Sequence, residues 1–259
     1  MTWRTVIVRE RAKLDYSLNF MTVRKEAEMR KISLSEIYMV IVESTAVSLT
    51  AVLLNELVKN KIKVVFCDEK RTPSSELLPY YGSHDTSLKY KYQLDWTEEC
   101  KQRVWTRIIF EKIYNQMLLL KKLNKVEYKL LEQYLNEIEW NDNSNREGHA
   151  AKVYFNALFG LDFSRNKECF VNAALDYGYS IILSAFNREI VSCGYFTQLG
   201  LCHKNPFNKF NLASDFMEPF RILVDEEVYN LEQSEFSKEH KNILINILNK
   251  TVTIDGKQQ

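Results

Sequence analysis

Apolar and polar positions along the chain fall into two regimes. Up to Asp68 the period is that of strands. Residues 3–9 (WRTVIVR) alternate and are rich in β-branched side chains, which predicts a strand. Leu14–Arg24 (LDYSLNFMTVR) and Glu36–Ser44 (EIYMVIVES) predict further strands, and Ile62–Asp68 (IKVVFCD) reads as a buried one. Between the last two, Ser48–Lys61 has apolar residues at 49, 52, 53, 54 and 57, the spacing of a helix. From Leu88 onward the period is helical. Trp105, Ile108, Ile109, Ile113, Met117 and Leu120 mark one helix, and Lys129–Trp140 a second. Ala150, Ala151, Tyr154, Phe155, Leu158 and Phe159 give the apolar face of a helix beginning near Arg146. NDNSN before it is a polar turn that predicts the N-cap region. Glu168–Phe196 predicts two helical stretches, Leu212, Phe216, Phe220 and Leu223 another helix, and 238–249 the last, before TVTIDGKQQ, the start of a hairpin.

Lys70–Ser87 interrupts both regimes. Pro73, Ser74, Ser75, Pro79, Gly82 and Ser83 predict a linker, and His84 within it reads as a surface loop histidine. The predicted class is α+β: a small β-rich domain (1–72), a linker (73–87), then a larger all-α domain (88–259).

Composition narrows the class. A length of 259 residues accommodates two domains, and 46% hydrophobic residues argue against disorder. The net charge is only +1, so any nucleic-acid binding must use local patches. Cys67, Cys100, Cys169, Cys193 and Cys202 form no C-x-x-C pair and predict reduced thiols in a cytoplasmic protein. No apolar run reaches the ~20 residues of a membrane helix. The N-terminus is too charged for a signal peptide. Residues 101–130 hold eight Lys or Arg (Lys112, Lys121, Lys122 and Lys125 among them) against Glu111 and Glu127. That segment fits a phosphate-tracking surface and an ordinary solvated face equally well.

Candidate chemistry concentrates in Gly200–Arg221, GLCHKNPFNKFNLASDFMEPFR. His203 lies in a loop, and Asp215 and Glu218 follow three residues apart, which on a helix puts them on one face. Two hard oxygen donors near one nitrogen donor suit Mg²⁺ or Mn²⁺ better than structural zinc. From spacing alone, a solvated acidic face beside a surface histidine is the commoner outcome. Glu147, at the start of its helix, by itself reads as a dipole or capping partner. Arg165, Arg188, Lys204, Lys209 and Arg221 flank the stretch and fit either phosphate contacts or plain surface cations.

Three stretches carry a resemblance. The run G-L-x-H followed by L-x-x-D-F-M-E-P-F-R, the segment REGHAAKVYF (Arg146–Phe155) and the segment LDYGYSIILS (Leu175–Ser184) resemble, in order, motifs of the CRISPR-associated adaptation integrase. The similarity covers essentially the whole chain, and the compact N-terminal half is most similar to the type II-A branch. The resemblance implies a metal-dependent endonuclease and integrase. It would join 3′-hydroxyl ends of short DNA fragments, the new spacers, into a CRISPR repeat by transesterification. It implies Glu147, His203 and Glu218 as catalytic metal ligands, preferred to His149, with Asp215 in support or on a second metal. It further implies homodimerisation through the β-rich domain and a small ferredoxin-like partner protein. An effector nuclease and a ring-shaped accessory protein are implied as well. In the family the chain resembles, relatives usually continue past TVTIDGKQQ into a further C-terminal helix. A nuclease that cleaves without joining and an inactive DNA-binding scaffold are the other classes the residues allow.

Overall fold

A computed structural model describes residues 4–26, 28–80, 83, 85–232, 235–254 and 257–258. Trp3 and His84, and the turn of the C-terminal hairpin, lie outside the described residues. The chain forms two compact units. The first comprises Met1–His84, Val191–Cys193 and Thr251–Gln259, and the second Asp85–Ile190 and Gly194–Lys250.

The first unit is built from eight strands and one helix in its N-terminal part, counted among the described residues: β1 (Arg4–Val8), β2 (Ala12–Ser17), β3 (Phe20–Arg24), β4 (Met29–Ser33), β5 (Ile37–Val42), β6 (Val47–Leu49), α1 (Ala51–Lys59), β7 (Lys63–Cys67) and β8 (Pro73–Leu77). They make two four-stranded sheets, of order β1-β5-β7-β8 and β4-β3-β2-β6. In the first sheet β5 runs parallel to both β1 and β7. A strand paired on both edges and covered on both faces must be apolar throughout, which is why IYMVIV is buried at five of its six positions. The α1 helix starts where the Thr50 hydroxyl accepts the Leu53 amide (3.3 Å), and it buries Leu53 and Leu57 fully. Each leucine contributes roughly 1.5–3 kcal/mol of burial.

Three sequence expectations change here. Leu14–Arg24 is a hairpin, because Leu18 and Asn19 both take positive φ (49° and 65°) and reverse the chain in two residues. The predicted helix at 48–61 begins later, since Val47–Leu49 pairs with β2. The predicted linker begins with strand β8, which pairs antiparallel with β7. Pro73 is tolerated at the first position of that strand. Near the C-terminus β9 (Thr253–Ile254) and β10 (Lys257–Gln258) pair antiparallel.

The second unit is helical: α2 (Thr86–Leu94), α3 (Glu98–Lys122), α4 (Tyr128–Asn136), α5 (Arg146–Phe159), α6 (Phe170–Ser192), α7 (Asn211–Met217), α8 (Ile222–Asn230) and α9 (Lys238–Ile245). The α3 helix is its spine. Thr97 caps it, Glu98 and Glu99 sit in its first turn and Lys121 and Lys122 in its last, all favourable to the helix dipole. Its buried face runs Trp105, Ile108, Ile109, Lys112, Ile113, Gln116, Met117 and Leu120. Glu168–Phe196 holds one long helix where two were expected. Gly178 stays helical, and a Cβ there would strike Val224, so its bareness serves the packing of α6 on α8. Among the described helices none is long and apolar enough to cross a membrane.

Candidate active site

Two carboxylates from distant parts of the second unit meet on one ammonium. Lys112 Nζ lies 2.5 Å from Glu147 Oε1 and 2.7 Å from Glu218 Oε2. Each element is fixed before the charges meet. Asp142 accepts the Arg146 amide (2.8 Å) on one oxygen and the Glu147 amide (3.1 Å) on the other, which pins the first turn of α5. Pro219 ends α7 and opens a 3-10 turn, Glu218–Phe220. The Asn115 side chain of α3 donates to the Pro219 carbonyl (2.9 Å) and ties that turn to the spine.

The turn also corrects an expectation. Asp215 and Glu218 do not share a solvated helix face. Asp215 is 0% exposed and Glu218 4%, and they point to different partners. Glu218 pairs with Lys112 and with Arg221 (2.9 Å). Burial pushes the Glu218 carboxyl up, but Lys112 and Arg221 pull harder and leave it below the ordinary value. Burial likewise pulls the Lys112 ammonium down, and Glu218 and Glu147 more than restore it. Glu218 and Lys112 are both charged at neutral pH.

Asp215 organises the histidine loop. Its oxygens accept the backbone amides of Leu201 (2.5 Å), Cys202 (3.3 Å) and His203 (3.1 Å). His203 Nδ1 lies 2.6 Å from Asp215 Oδ1. A Cβ at Gly200 would collide with both the His203 carbonyl oxygen and Asp215 Oδ2, so only glycine lets the loop close on this carboxylate. The edge of Trp105 abuts the imidazole, at 5.9 Å between centroids. The hydrogen bond to Asp215 raises the His203 pKa, burial opposes it, and Glu218 raises it further. With Nδ1 engaged by the carboxylate, Nε2 is the ring nitrogen left to bind a ligand.

Glu147 and Glu218 are thus brought together, and His203 stands within electrostatic reach of Glu218. Among the described residues no three His, Cys, Asp or Glu side chains converge closely enough to hold an ion. The Lys112 ammonium holds the place between the two carboxylates. The residues fit a divalent cation by their chemistry: a buried acidic pair that demands a positive charge, with an oriented imidazole nearby. His149 is exposed, and its contacts are Arg146 (3.3 Å) and the Tyr134 ring. Burial pushes the Cys202 thiol up, Asp215 adds to it, and a zinc thiolate there is disfavoured.

Asp225 is a further buried acid, beyond Asp215 and Glu218, that sequence reasoning missed. Asp225 accepts the hydroxyls of Tyr154 (2.9 Å) and Tyr179, joining α5, α6 and α8. Arg221 stacks on Tyr179 at 4.5 Å and so links this cluster to Glu218. Burial pushes Asp225 up to about 6, against the hydroxyls of Tyr179 and Tyr154, and pushes both tyrosines well above their ordinary value.

The flanking cations are scattered in role. Arg221 belongs to the site itself. Lys204 pairs with Glu98 (3.1 Å), Arg165 with Asp176 and Arg188 with Glu189, and Lys209 is exposed. Lys122 pairs with Glu226 (2.5 Å), while Lys121 lies over Tyr128 and Lys125 over Tyr229.

Residues 5–247 match the family profile described as CRISPR associated protein Cas1. A CRISPR-associated endonuclease Cas1 from Neisseria meningitidis serogroup C (strain 8013) is 34% identical over 261 residues, covering 98% of this chain and 86% of that protein. In fold the chain is similar to a casposase bound to integration product, with a TM-score of 0.76, 18% identity, and coverage of 100% and 86% of the two chains. It is also similar to a chain of a Cas6-RT-Cas1–Cas2 complex, with a TM-score of 0.71, 18% identity, and coverage of 95% of this chain and 32% of that one. The match along nearly its whole length shows that the chain belongs to the CRISPR associated protein Cas1 family.

Proposed function

We propose that this protein is a metal-dependent integrase of CRISPR adaptation that joins the 3′-hydroxyl end of a short DNA fragment to a phosphodiester of the repeat. The observation that carries this reading is the convergence of Glu147 and Glu218 on one cation, with His203 held beside them by Asp215. The family's endonuclease relative and the casposase seen with its integration product support the same chemistry.

The reaction exchanges one phosphodiester for another. The 3′-oxygen of the fragment forms a bond to phosphorus, the bond to the target strand's 3′-oxygen breaks, and the hydroxyl proton ends on that leaving oxygen. Glu147, Glu218 and His203 Nε2 would hold Mg²⁺ or Mn²⁺. A bound ion of that kind polarises the phosphate and favours the ionised hydroxyl. Asp215 keeps the imidazole in the tautomer with Nδ1 protonated, so that Nε2 presents its lone pair to the site. Arg221 braces Glu218 against the site from Tyr179. Trp105 packs against the imidazole. No nucleotide cofactor is needed, since a bond is exchanged and none is made at net cost.

The partners follow from the same reading. The substrates are duplex DNA, as spacer precursor and as leader-repeat. Lys204, Lys209, Arg165 and Arg188 would contribute phosphate contacts alongside Lys121, Lys122 and Lys125. The protein would act as a homodimer through its β-rich unit, together with the small ferredoxin-like adaptation protein; a chain of similar fold in a Cas6-RT-Cas1–Cas2 complex supports a partner protein. An effector nuclease, a ring-shaped accessory protein, the type II-A branch and a cytoplasmic site of action complete the proposal. The compact N-terminal half is what supports the branch.

The test is strand joining into a supercoiled plasmid carrying a leader and repeat, with the partner protein and Mn²⁺. Fragments with 3′-deoxy ends should bind and not be joined. Equal products from 3′-deoxy fragments, or nicked plasmid with nothing attached, would favour a nuclease. A monomer by light scattering at micromolar concentration would remove the homodimer.

A further inference from the structure

The loop that carries His203 is long and is held by side chains around it. Residues 193–210 join α6 to α7 with no helix or strand between them. Loops of more than about 12–15 residues without structure of their own are uncommon and usually functional. Their buried backbone groups need partners from elsewhere. Asp215 takes the amides of Leu201, Cys202 and His203. Asn211, buried at the start of α7, donates to the carbonyls of Gln198 and Asn205 (3.0 Å each).

Gln93 of α2 holds the entry of the loop. Its side chain is buried, at 2% exposure, and all its bonds go to loop backbone. Nε2 donates to the Phe196 carbonyl (2.9 Å) and the Leu199 carbonyl (3.1 Å), and Oε1 accepts the Phe196 amide (2.8 Å). Among uncharged side chains only Asn and Gln carry two N–H donors beside an acceptor, and Asn is one methylene shorter. Tyr90, one turn earlier in α2, stacks on Phe196 with ring centroids 3.5 Å apart.

The place of these bonds in the chain gives them a consequence for His203. Leu199 immediately precedes Gly200, and Leu201 follows it. A Cβ at Gly200 would lie 2.4 Å from the His203 carbonyl oxygen and 2.7 Å from Asp215 Oδ2, so the backbone there packs directly on the carboxylate. Gln93 fixes the chain on one side of this contact and Asp215 fixes it on the other.

Resting on the reading of Glu147, His203 and Glu218 as metal ligands, we propose that Gln93 is a positioning residue for His203. It sets the approach of the loop to Asp215, and Asp215 then holds the imidazole where it can bind the cation. Gln93 acts through His203 and takes no part in the bond exchange itself.

The experiment is a double-mutant cycle on the full chain, with Mn²⁺ binding read by electron paramagnetic resonance. Gln93→Met keeps the length of the side chain and removes its three bonds. It should weaken Mn²⁺ binding about tenfold. In a His203→Ala background the same change should alter the affinity by less than about twofold, because the group it acts through is gone. Gln93→Glu, which keeps the acceptor and removes both amide donors, is run beside it with the same expectations. Joining by Gln93→Met should fall at limiting Mn²⁺ and recover at saturating Mn²⁺, with KM for the DNA fragment within about twofold of wild type. Equal losses of Mn²⁺ affinity in both backgrounds overturn the proposal and leave Gln93 a general support of the fold. Unchanged affinity in Gln93→Met overturns it as well. Hydrogen exchange of the wild type, followed by NMR, needs no variant. The Phe196 amide should exchange about as slowly as that of Leu201, and fast exchange at Phe196 overturns the proposal whether or not the variants fold. A wild type that shows the Mn²⁺ coupling but joins no DNA would sink the integrase reading and leave the role of Gln93 standing. A wild type that binds no Mn²⁺ sinks both.

Discussion

The interiors of the two units differ in how buried charge is arranged. The β-rich unit pairs Lys63 with Glu76 and Glu43 with Arg9, while the helical unit brings several charges together around Lys112. In the β-rich unit the core is a cluster of Val, Ile, Leu and Met around β5 and α1, and its buried polar residues are few: Thr22, Glu43 and Lys63 among those described. In the helical unit Lys112, Asp215, Glu218 and Asp225 are all buried between helices whose other packing is ordinary and apolar. A fold alone does not require this, since replacing buried ion pairs with apolar residues often leaves stability unchanged or improves it. What the difference teaches is that the helical unit gives up packing economy to hold charge in a fixed place. That is the condition for binding a cation and a phosphate at once.

The largest effect should separate activity from stability along this divide. Glu147→Gln and His203→Ala should lower strand joining by about 10³-fold or more, by analogy with the loss of a preorganised electrostatic group. Leu57→Ala in the β-rich unit should instead cost about 2–5 kcal/mol of stability. Glu218 belongs to both categories. Its replacement by Ala would strand Lys112 and Arg221, so Glu218→Gln is the cleaner test of the catalytic role. Joining assays paired with urea unfolding decide. A Glu147→Gln protein that joins normally would end the assignment.

Next comes Lys112→Met. It leaves Glu147 and Glu218 facing each other without the ammonium, at a cost of about 3–5 kcal/mol. If the carboxylates accept a divalent ion, Mn²⁺ should restore more Tm in the variant than it adds to wild type. Equal Mn²⁺ shifts in both proteins would show that Lys112 and the ion do not share a place.

Asp225 sharpens the comparison through pH. Its folded value is about 6, against 3.8 for the free side chain. Between those values the folded protein keeps a proton that the unfolded chain has released. The contribution of this group to stability therefore falls as pH rises through that window, by about 3 kcal/mol in all. Asp225→Asn removes the titration. Relative to this variant, wild type should lose stability between pH 4 and pH 7 in urea unfolding. A constant difference across that range would mean the carboxyl is not perturbed.

These charges were hard to see in the sequence, and the reason is physical. Periodicity reports which face is buried but not which charged residue joins it. IYMVIV announced its place because a doubly covered strand is apolar at nearly every position. Lys112 sat at a core position of α3, between Ile109 and Ile113, yet counted as one more cation of a basic segment. Asp225 begins the acidic run Asp225–Glu227, and nothing in that run marks it as the buried member. Pro219 in the sequence was the available sign that Asp215 and Glu218 do not share a regular helix, and the structure shows them turned to separate partners. Glu147, His203 and Glu218 were legible through motif resemblance. Their spacing alone carried no comparable weight.

A smaller effect is expected at Asp215. It touches His203 and three loop amides, so Asp215→Asn should slow joining by about 10–100-fold while metal affinity falls with it. A loss as deep as that of Glu147→Gln would make it a ligand in its own right.

The smallest effect should come from the basic segment, because the fold disperses it. Of its eight cations, Lys112 is buried in the site. Lys101, Arg103 and Arg107 pair with acids of their own helix, Glu98, Glu99 and Glu111. Exposed pairs of this kind are worth little and can open to a phosphate, but they halve the field the sequence suggested. Lys121, Lys122 and Lys125 remain grouped at the end of α3, the first and third lying over Tyr128 and Tyr229. Reversing these three to Glu should weaken binding of every DNA sequence alike. The slope of log affinity against log salt should then fall by about 0.9 for each phosphate no longer neutralised, and so by no more than about 3. The measurement is a salt titration by fluorescence anisotropy on two unrelated duplexes. A change confined to one sequence would mean these lysines read bases. No change in affinity or slope would return the segment to an ordinary solvated face, and leave DNA binding to the cations around His203.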